Sequence, residues 1–148
     1  MTQKQQQDTP VKLDKMMLAK TMQEIDFCMM TTVQGNGQLN SRPMSNNRNV
    51  EWDGDTWFFA FKDSSQVKET QRHSNVNLSY AVPKEVLFIS VKGRGEIVAD
   101  VAKKKELWYG DLERWFPNGP EDESVVLIRV VGEYVDYWSK DGDSSLDL

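Results

Sequence analysis

The alternation of apolar and polar positions along the chain predicts six β-strands joined mostly by tight turns. Glycine-containing turns, "QGNGQ" and "EWDGD", separate the first three strands, and Asp53-Gly54 is a strong hairpin signal. We therefore expect the second and third strands to pair as a hairpin. Gly93 and Gly95 indicate a bulge or bend in the fifth strand. The predicted strands cover residues 25–33, 39–50, 56–61, 75–82, 86–98 and 124–138.

Short helices are predicted at three breaks in this pattern. Thr9 and Pro10 are typical of an N-cap and a first helical position. Asp63 or Ser64 is expected to cap a second helix that runs to about residue 73. Asp100 is expected to begin a third helix, which ends near residue 110. Together these elements predict a mostly β protein, a small antiparallel β-barrel with peripheral helices.

The length of 148 residues predicts one domain with a single core. We expect residues 1–10 to be a disordered polar tail, residues 11–139 to form the domain, and residues 140–148 to be a mobile acidic tail. No apolar segment is long enough to span a membrane. A polar, Gln-rich amino end and a single cysteine favour a cytoplasmic protein.

Composition excludes several kinds of chemistry. The net charge of −5 argues against sequence-independent binding to nucleic acid, which is itself a polyanion. The chain contains one cysteine, Cys28, and one histidine, His73. These two residues cannot supply the usual zinc ligand sets, and they make a hydrolytic triad improbable. The sequence therefore predicts no metal site and identifies no catalytic side chain.

One predicted feature could bind an anion. The two far ends of the predicted hairpin would bring hydrogen-bond donors next to the first amides of the second helix, where unpaired N–H groups and the helix dipole favour negative charge. In the alternative interpretation this is an ordinary solvated hairpin end, in which Arg42 pairs with Asp63 or Glu69. The residues that would converge are Arg42, Lys62, Ser64 and Ser65.

The order and spacing of several segments resemble a known family. The segments are "MMTT", "SRPM", "DGDTWFF", "KDSSQVKE", "NVNLSY", "ISVKGRGEIV", "WFPNGP" and "VVLIRV". Over residues 12–139 the chain resembles the general-stress-protein-26-like branch of the pyridoxamine 5′-phosphate oxidase-like, FMN-binding split-barrel proteins. The resemblance implies a six-stranded split barrel and a homodimer that holds two FMN molecules at its subunit interface.

The resemblance also implies which residues bind FMN. Arg42 would contact the phosphate, the next two residues would run beside the isoalloxazine ring, and the turn after the third strand would grip the phosphate. The oxidases have adjacent basic residues where this chain has Ser65 and Gln66, and this chain has no histidine or arginine after Arg129. The implied cofactor-binding residues are Arg42, Pro43, Met44, Phe59, Ala60, Lys62, Ser64, Ser65, Gln66, Trp115 and Trp138.

These features favour an FMN-dependent oxidoreductase whose substrate is not pyridoxamine 5′-phosphate. Trp115 could instead anchor its loop, and Trp138 could serve packing alone. Two other functions remain open. The protein could be a flavin-binding stress or carrier module without turnover, or it could be a dimeric interaction barrel with no ligand.

Overall fold

The computed structural model describes residues 12–148 and confirms a mostly β fold with peripheral helices. The helices are α1 (Lys15–Gln23), α2 (Ser65–Arg72) and α3 (Val101–Leu107), with short 3-10 turns at Pro83–Glu85 and Gly110–Arg114. The strands are β1 (Phe27–Val33), β2 (Leu39–Ser45), β3 (Asp55–Phe61), β4 (Asn75–Val82), β5 (Leu87–Val98), β6 (Val125–Ser139) and β7 (Gly142–Asp147).

The strands form one antiparallel sheet in the order β2-β1-β4-β5-β6-β3, and β7 also pairs with β6. Among residues 12–148, β2 pairs with β1 alone and β3 with β6 alone. β2 and β3 are therefore the two ends of this strand order, and each has one free edge. The predicted hairpin between the second and third strands is wrong.

A side-chain anchor explains why the second strand is shorter than predicted. β2 ends at Ser45 rather than at residue 50. The next residue, Asn46, donates from Nδ2 to the carbonyl oxygens of Met22 and Ile25 at 2.9 and 2.8 Å. These bonds turn the chain away from the sheet toward α1. The Asp53-Gly54 turn then leads into β3, whose partner is the distant β6.

The carboxyl end of the described chain forms a strand, so the expectation of a mobile tail is wrong there. β7 pairs with the second half of β6, from Ser139↔Gly142 to Tyr134↔Asp147. Leu146 and Leu148 pack against the main core. The sheet consequently has seven strands, one more than predicted.

β6 pairs with two strands along the same edge, with β3 along its first half and with β7 along its second. Gly132 lies at the junction and donates its N–H to the carbonyl of Gly54 at 2.9 Å. A Cβ at Gly132 would lie 2.5 Å from that carbonyl oxygen, so any other residue would force the chains apart. The predicted bulge in β5 is confirmed by a register shift between Lys92 and Gly93.

Two helices begin with aspartate caps. Asp14 accepts from the N–H of Met17 at 2.9 Å, so α1 begins at Lys15. The predicted cap at Thr9 and Pro10 lies outside the described residues. Asp100 caps α3 as expected, accepting from the N–H of residue 102. α3 ends at residue 107, earlier than predicted, because its chain then turns to pack on β3.

The core has two parts. The main cluster fills the space between the sheet, α1 and α2, with Phe58 and Tyr80 among the largest fully buried side chains. A smaller cluster attaches the segment after α3 to β3, and it consists of Leu112, Phe116 and Val125 with Phe59, Trp108 and Tyr109 against them. Within the part of the chain described, none of the helices has the length and apolar character needed to cross a membrane.

A buried lysine fixes the segment between α3 and β6. Lys104 is 1% exposed, and its Nζ donates to the carbonyl oxygens of Asp122 and Val125 at 3.0 and 2.8 Å. A buried ammonium group needs such partners because an unpaired charge would be very costly. The lysine thereby joins α3 to the start of β6.

Candidate functional site

A cavity of about 390 Å³ lies where the free edges of β2 and β3 approach each other. β2 and β3 both contribute side chains to it although they share no backbone hydrogen bond. The cavity therefore occupies the split in the barrel. Its lining from these strands and from β1 consists of Phe27, Pro43, Met44, Ser45, Trp57, Phe59, Ala60 and Phe61.

The start of α2 forms one polar end of the cavity. Ser64 and Gln66 line it, and Gln66 Nε2 lies 3.9 Å from the sulfur of Met44 on the opposite edge. The side chain of Ser64 makes no capping hydrogen bond, and its Oγ is buried without a partner. The amides in the first turn of a helix have no partner within the helix. This end of the cavity therefore offers several donors to a ligand.

Aromatic side chains form a wall on the other side. Phe59 packs edge-on against Trp108, with ring centroids 5.2 Å apart, and Phe61 contacts Phe116 at 4.9 Å. Trp115 is 58% exposed and also lines the cavity. Its ring lies 5.8 Å from the guanidinium carbon of Arg114. The wall combines a packed interior with one exposed indole at the mouth.

Arg42 lies behind the polar end of the cavity. Its Nη1 donates to Thr32 Oγ1 at 2.6 Å, and its Nη2 donates to Glu69 Oε1 at 3.1 Å. Nη2 also lies 3.5 Å from Ser65 Oγ, in the first turn of α2. The predicted approach of Arg42 to this turn is therefore present, although no hairpin produces it. The pairing of Arg42 with Glu69, which was the alternative, is present as well.

Glu69 is an ionised group inside this network. A hydrogen bond from Thr32, at 2.6 Å, holds the pKa of Glu69 below its ordinary value, and contacts from Arg42 and Asn40 act in the same direction against the effect of burial. By contrast, burial raises the pKa of the Cys28 thiol to about 12. Cys28 is thus a protonated thiol in the core.

The structure brings most of the predicted cofactor-binding residues together. Arg42 and Ser65 lie next to the cavity without lining it. Lys62 is exposed just after β3, and its backbone N–H donates to Ser124. Trp138 lies elsewhere, on β6 opposite Phe88. The seven predicted residues that line the cavity are Pro43, Met44, Phe59, Ala60, Ser64, Gln66 and Trp115.

The sequence did not indicate several other lining residues. Phe27 and Phe61 lie in strands. The alternation of apolar and polar residues there predicts which side of the sheet a side chain faces, but it does not predict a cavity. Tyr109, Leu112 and Phe116 reach the site only because the segment after α3 folds back over β3. Among residues 12–148, no group of three or more His, Cys, Asp or Glu side chains is placed to hold a metal ion.

A second, polar groove of about 770 Å³ adjoins the cavity. The two share Phe27, Ser45, Tyr109 and Trp115. The groove carries charges of both signs from Glu24, Asp26, Arg48, Asp111 and Arg114. A molecule in the cavity would therefore have a charged, solvent-filled approach past Trp115.

The fold is shared with solved structures of low sequence identity. A Clostridium acetobutylicum protein related to general stress protein 26 of Bacillus subtilis aligns with a TM-score of 0.78 and 18% identity, over 92% of this chain and 97% of that chain. General stress protein 26 from Bacillus anthracis gives 0.77 and 22%, over 90% and 98%. An F420 reductase gives 0.59 and 21%, over 78% and 94%.

None of the curated protein sequences matches this chain. A family model does match it, over residues 14–147, and its description is "Pyridoxamine 5'-phosphate oxidase like". The match begins at the cap of α1 and ends at the last residue of β7, so it includes every strand and both sides of the cavity. The chain therefore belongs to the pyridoxamine 5′-phosphate oxidase-like family.

Proposed function

We propose that this protein binds FMN in the cavity between β2 and β3 and uses the flavin for redox chemistry as a homodimer. The observation that carries the proposal is the combination of an aromatic wall with a donor-rich helix start in one cavity. Its volume of about 390 Å³ is in the usual range for small-molecule sites, which are mostly apolar with a few placed polar groups.

The residues present fit a flavin. Pro43 and Met44 on one edge and Phe59 and Ala60 on the other offer apolar surface to a planar ring. The buried, unpartnered Oγ of Ser64 offers a hydrogen bond that the protein itself does not use. A phosphate at the start of α2 would use it together with the helix amides. Arg42 lies close enough to Ser65, at 3.5 Å, to support that phosphate from behind.

Bound FMN would supply hydride or electron transfer, while the protein supplies position and electrostatics. None of the cavity-lining residues in the described chain is a lysine, arginine, histidine or carboxylic acid. The phenol hydroxyl of Tyr109 is the one ionisable side-chain group among the described lining residues. This composition supports chemistry carried by the flavin rather than by a protein acid or base. One of the structural neighbours is a reductase, which agrees with a redox role.

The homodimer is supported by exposed apolar side chains along β1 and β2, on a surface that borders the cavity at Phe27. Phe27 and Met29 on β1 are 59% and 42% exposed, and Leu39 on β2 is 72% exposed. Exposed apolar patches of this kind mark interaction sites. The strand registers place Trp138 on the same outward side of the sheet as Met29. A partner that covers this side would bring its own Trp138 toward the surface that borders the cavity, as expected for a flavin contact.

The substrate we propose is not pyridoxamine 5′-phosphate. A phosphorylated pyridine needs a second anion site beside the flavin, and β7 offers Asp143 and Asp147 on its exposed side instead. Asp143 lies opposite Trp138 in the β6–β7 pair. Two carboxylates would repel a phosphate, and no arginine or histidine follows Arg129.

Absorption by the purified protein tests the proposal. Bound FMN gives a yellow protein whose released cofactor can be identified by its mass, and a colourless protein that takes up no added FMN would contradict it. The absence of charged side chains from the cavity lining, among residues 12–148, also favours a second function, a flavin carrier without turnover. Reduction of the bound flavin by NAD(P)H, followed by reoxidation with an electron acceptor over many cycles, distinguishes an oxidoreductase from a carrier.

A further inference from the structure

The ion pair between Arg42 and Glu69 lies at the polar end of the cavity, where the proposed function places a phosphate. The two side chains are 15% and 11% exposed, and their atoms are 3.1 Å apart. Glu69 stands on α2 one turn after Ser65, so the carboxylate and the start of the helix face the same guanidinium. A ligand at the helix start would meet this pair rather than a lone arginine.

The pair is held in place from both strands beside it. Thr32 on β1 accepts from Arg42 and donates to Glu69, each at 2.6 Å. Asn40 on β2 lies 3.5 Å from both carboxylate oxygens. An approaching anion therefore cannot draw Arg42 away without breaking its bonds to Thr32 and Glu69, at 2.6 and 3.1 Å. The neighbouring lysines, Lys62 and Lys68, are exposed and so act through water, which weakens their field.

We propose that Glu69 is a specificity-determining residue of the cavity, which offsets the charge of Arg42 and so limits how strongly the site prefers a phosphorylated flavin over an unphosphorylated one. This inference rests on the proposed flavin site. With Glu69 ionised, the pair has no net charge, and its field at a phosphate is the difference between an attraction and a repulsion over similar distances. The helix amides and the Ser64 hydroxyl then supply most of the recognition.

The consequence is a flavin site with a modest phosphate preference. An arginine with a free charge would favour FMN over riboflavin by roughly 10- to 150-fold. With its charge offset, the preference should stay below about tenfold. Such a site would bind riboflavin with an affinity within about tenfold of that for FMN. This ratio would be adjusted by a single side chain behind the cavity rather than by a residue in contact with the ring.

The test measures dissociation constants for FMN and riboflavin by flavin fluorescence in flavin-free full-length protein. Glu69→Gln keeps the shape and one hydrogen bond but removes the charge, and it should tighten FMN by roughly tenfold while riboflavin is unchanged. Glu69→Asp keeps the charge and should retain the wild-type ratio. Glu133→Gln is the matched control, because Glu133 also pairs with an arginine, Arg94 at 3.0 Å, and does not line the cavity.

Each outcome decides the matter. The inference is supported if Glu69→Gln binds FMN more tightly than wild-type protein and Glu69→Asp and Glu133→Gln do not. Equal changes for FMN and riboflavin, or weaker FMN binding, would overturn it and leave the proposed function standing. If Glu69→Gln does not fold, the wild-type ratio decides, since a preference for FMN well above about tenfold would overturn the inference and a smaller one would support it. Failure of both flavins to bind wild-type protein would overturn the proposed function and this inference with it.

Discussion

Gln66 and Met44 meet across the split of the barrel, with Nε2 of the amide 3.9 Å from the thioether sulfur. Gln66 belongs to the first turn of α2 and Met44 to the edge strand β2. The edge strand β2 is therefore connected here, by side chains instead of a backbone ladder, to the helix that follows β3. Side-chain contacts can adjust by rotamer changes, so a planar ligand can enter between the edges without breaking a strand pair.

Binding of FMN should raise the melting temperature of the protein. At a hundredfold excess over its dissociation constant, a ligand that binds only the folded state adds about 2.7 kcal/mol to the free energy of unfolding. Thermal denaturation with and without FMN measures this effect. The protein must first be shown to be free of flavin, and the absence of any shift would then contradict FMN binding.

Arg42→Ala should weaken FMN far more than riboflavin. The substitution removes the positive charge near the phosphate and leaves Glu69 without its ion-pair partner, so the remaining carboxylate repels the ligand. We expect a loss of roughly 10- to 150-fold for FMN, measured by fluorescence titration. Arg48→Ala is the control, because Arg48 also pairs with a carboxylate, that of Asp26 at 2.8 Å, but lines the neighbouring groove. Equal losses for the two flavins would show that Arg42 is structural.

Ser64→Ala should weaken FMN without weakening the fold. The Oγ of Ser64 is buried and unpartnered, so its removal takes away an unsatisfied polar group rather than a bond. In the complex the hydroxyl would donate to the phosphate, and its loss should cost roughly tenfold in affinity. Chemical denaturation and flavin titration measure the two effects, with exposed Ser145→Ala as the control. A clear drop in the free energy of unfolding without ligand would argue that Ser64 has a structural role.

The protein should be a two-fold dimer. A stable interface of this kind needs at least roughly 1,000 Å² of buried surface. Met29→Lys places a charge on the exposed side of β1 and should shift the mass in light scattering toward the monomer. Met16→Lys is the matched control, since Met16 is 68% exposed but lies on α1. A monomer mass for wild-type protein at micromolar concentration with FMN present would contradict the prediction.

The protein loaded with FMN should not form pyridoxal 5′-phosphate from pyridoxamine 5′-phosphate. The exposed carboxylates of Asp143 and Asp147 on β7 oppose a second phosphate site. The assay follows the absorbance of the aldehyde product, with an authentic pyridoxamine phosphate oxidase as the positive control. Turnover similar to that of the control enzyme would show that the substrate phosphate is bound elsewhere on the protein.

The strands were predictable from local alternation, whereas their partners were not. Asp53-Gly54 has the chemistry of a hairpin turn, yet β3 pairs with β6, more than sixty positions further along the chain. A turn signal specifies the backbone angles of a few residues and carries no information about which strand is reached afterwards. β7 was not predicted because Leu146 is its only large apolar side chain and Leu148 follows just after it, which is too few for a recognisable period.

The residues of the candidate site likewise fall into those that the sequence identified and those that only the tertiary structure revealed. The predicted site residues of two contiguous segments were identified because these segments resemble the family; they are Arg42, Pro43, Met44, Phe59, Ala60, Lys62, Ser64, Ser65 and Gln66. Glu69 entered only as a partner for Arg42 in the alternative interpretation, and its link through Thr32 depends on the β1–β2 pairing. Tyr109 and Phe116 lie in a segment with no strand or long-helix pattern, and only its packing on Phe59 brings them to the cavity.

Lys104 helps to order the segment that carries the aromatic wall while the chain folds, before any ligand binds. Its bonds to the carbonyls of Asp122 and Val125 hold one end of the wall segment, and Asn47 holds the other by donating to the carbonyl of Leu107 at 3.0 Å. The segment is thus ordered as the chain folds rather than when a ligand arrives. A ligand that contacts a preorganised wall keeps more of its contact energy as affinity, because little conformational freedom remains to be lost on binding.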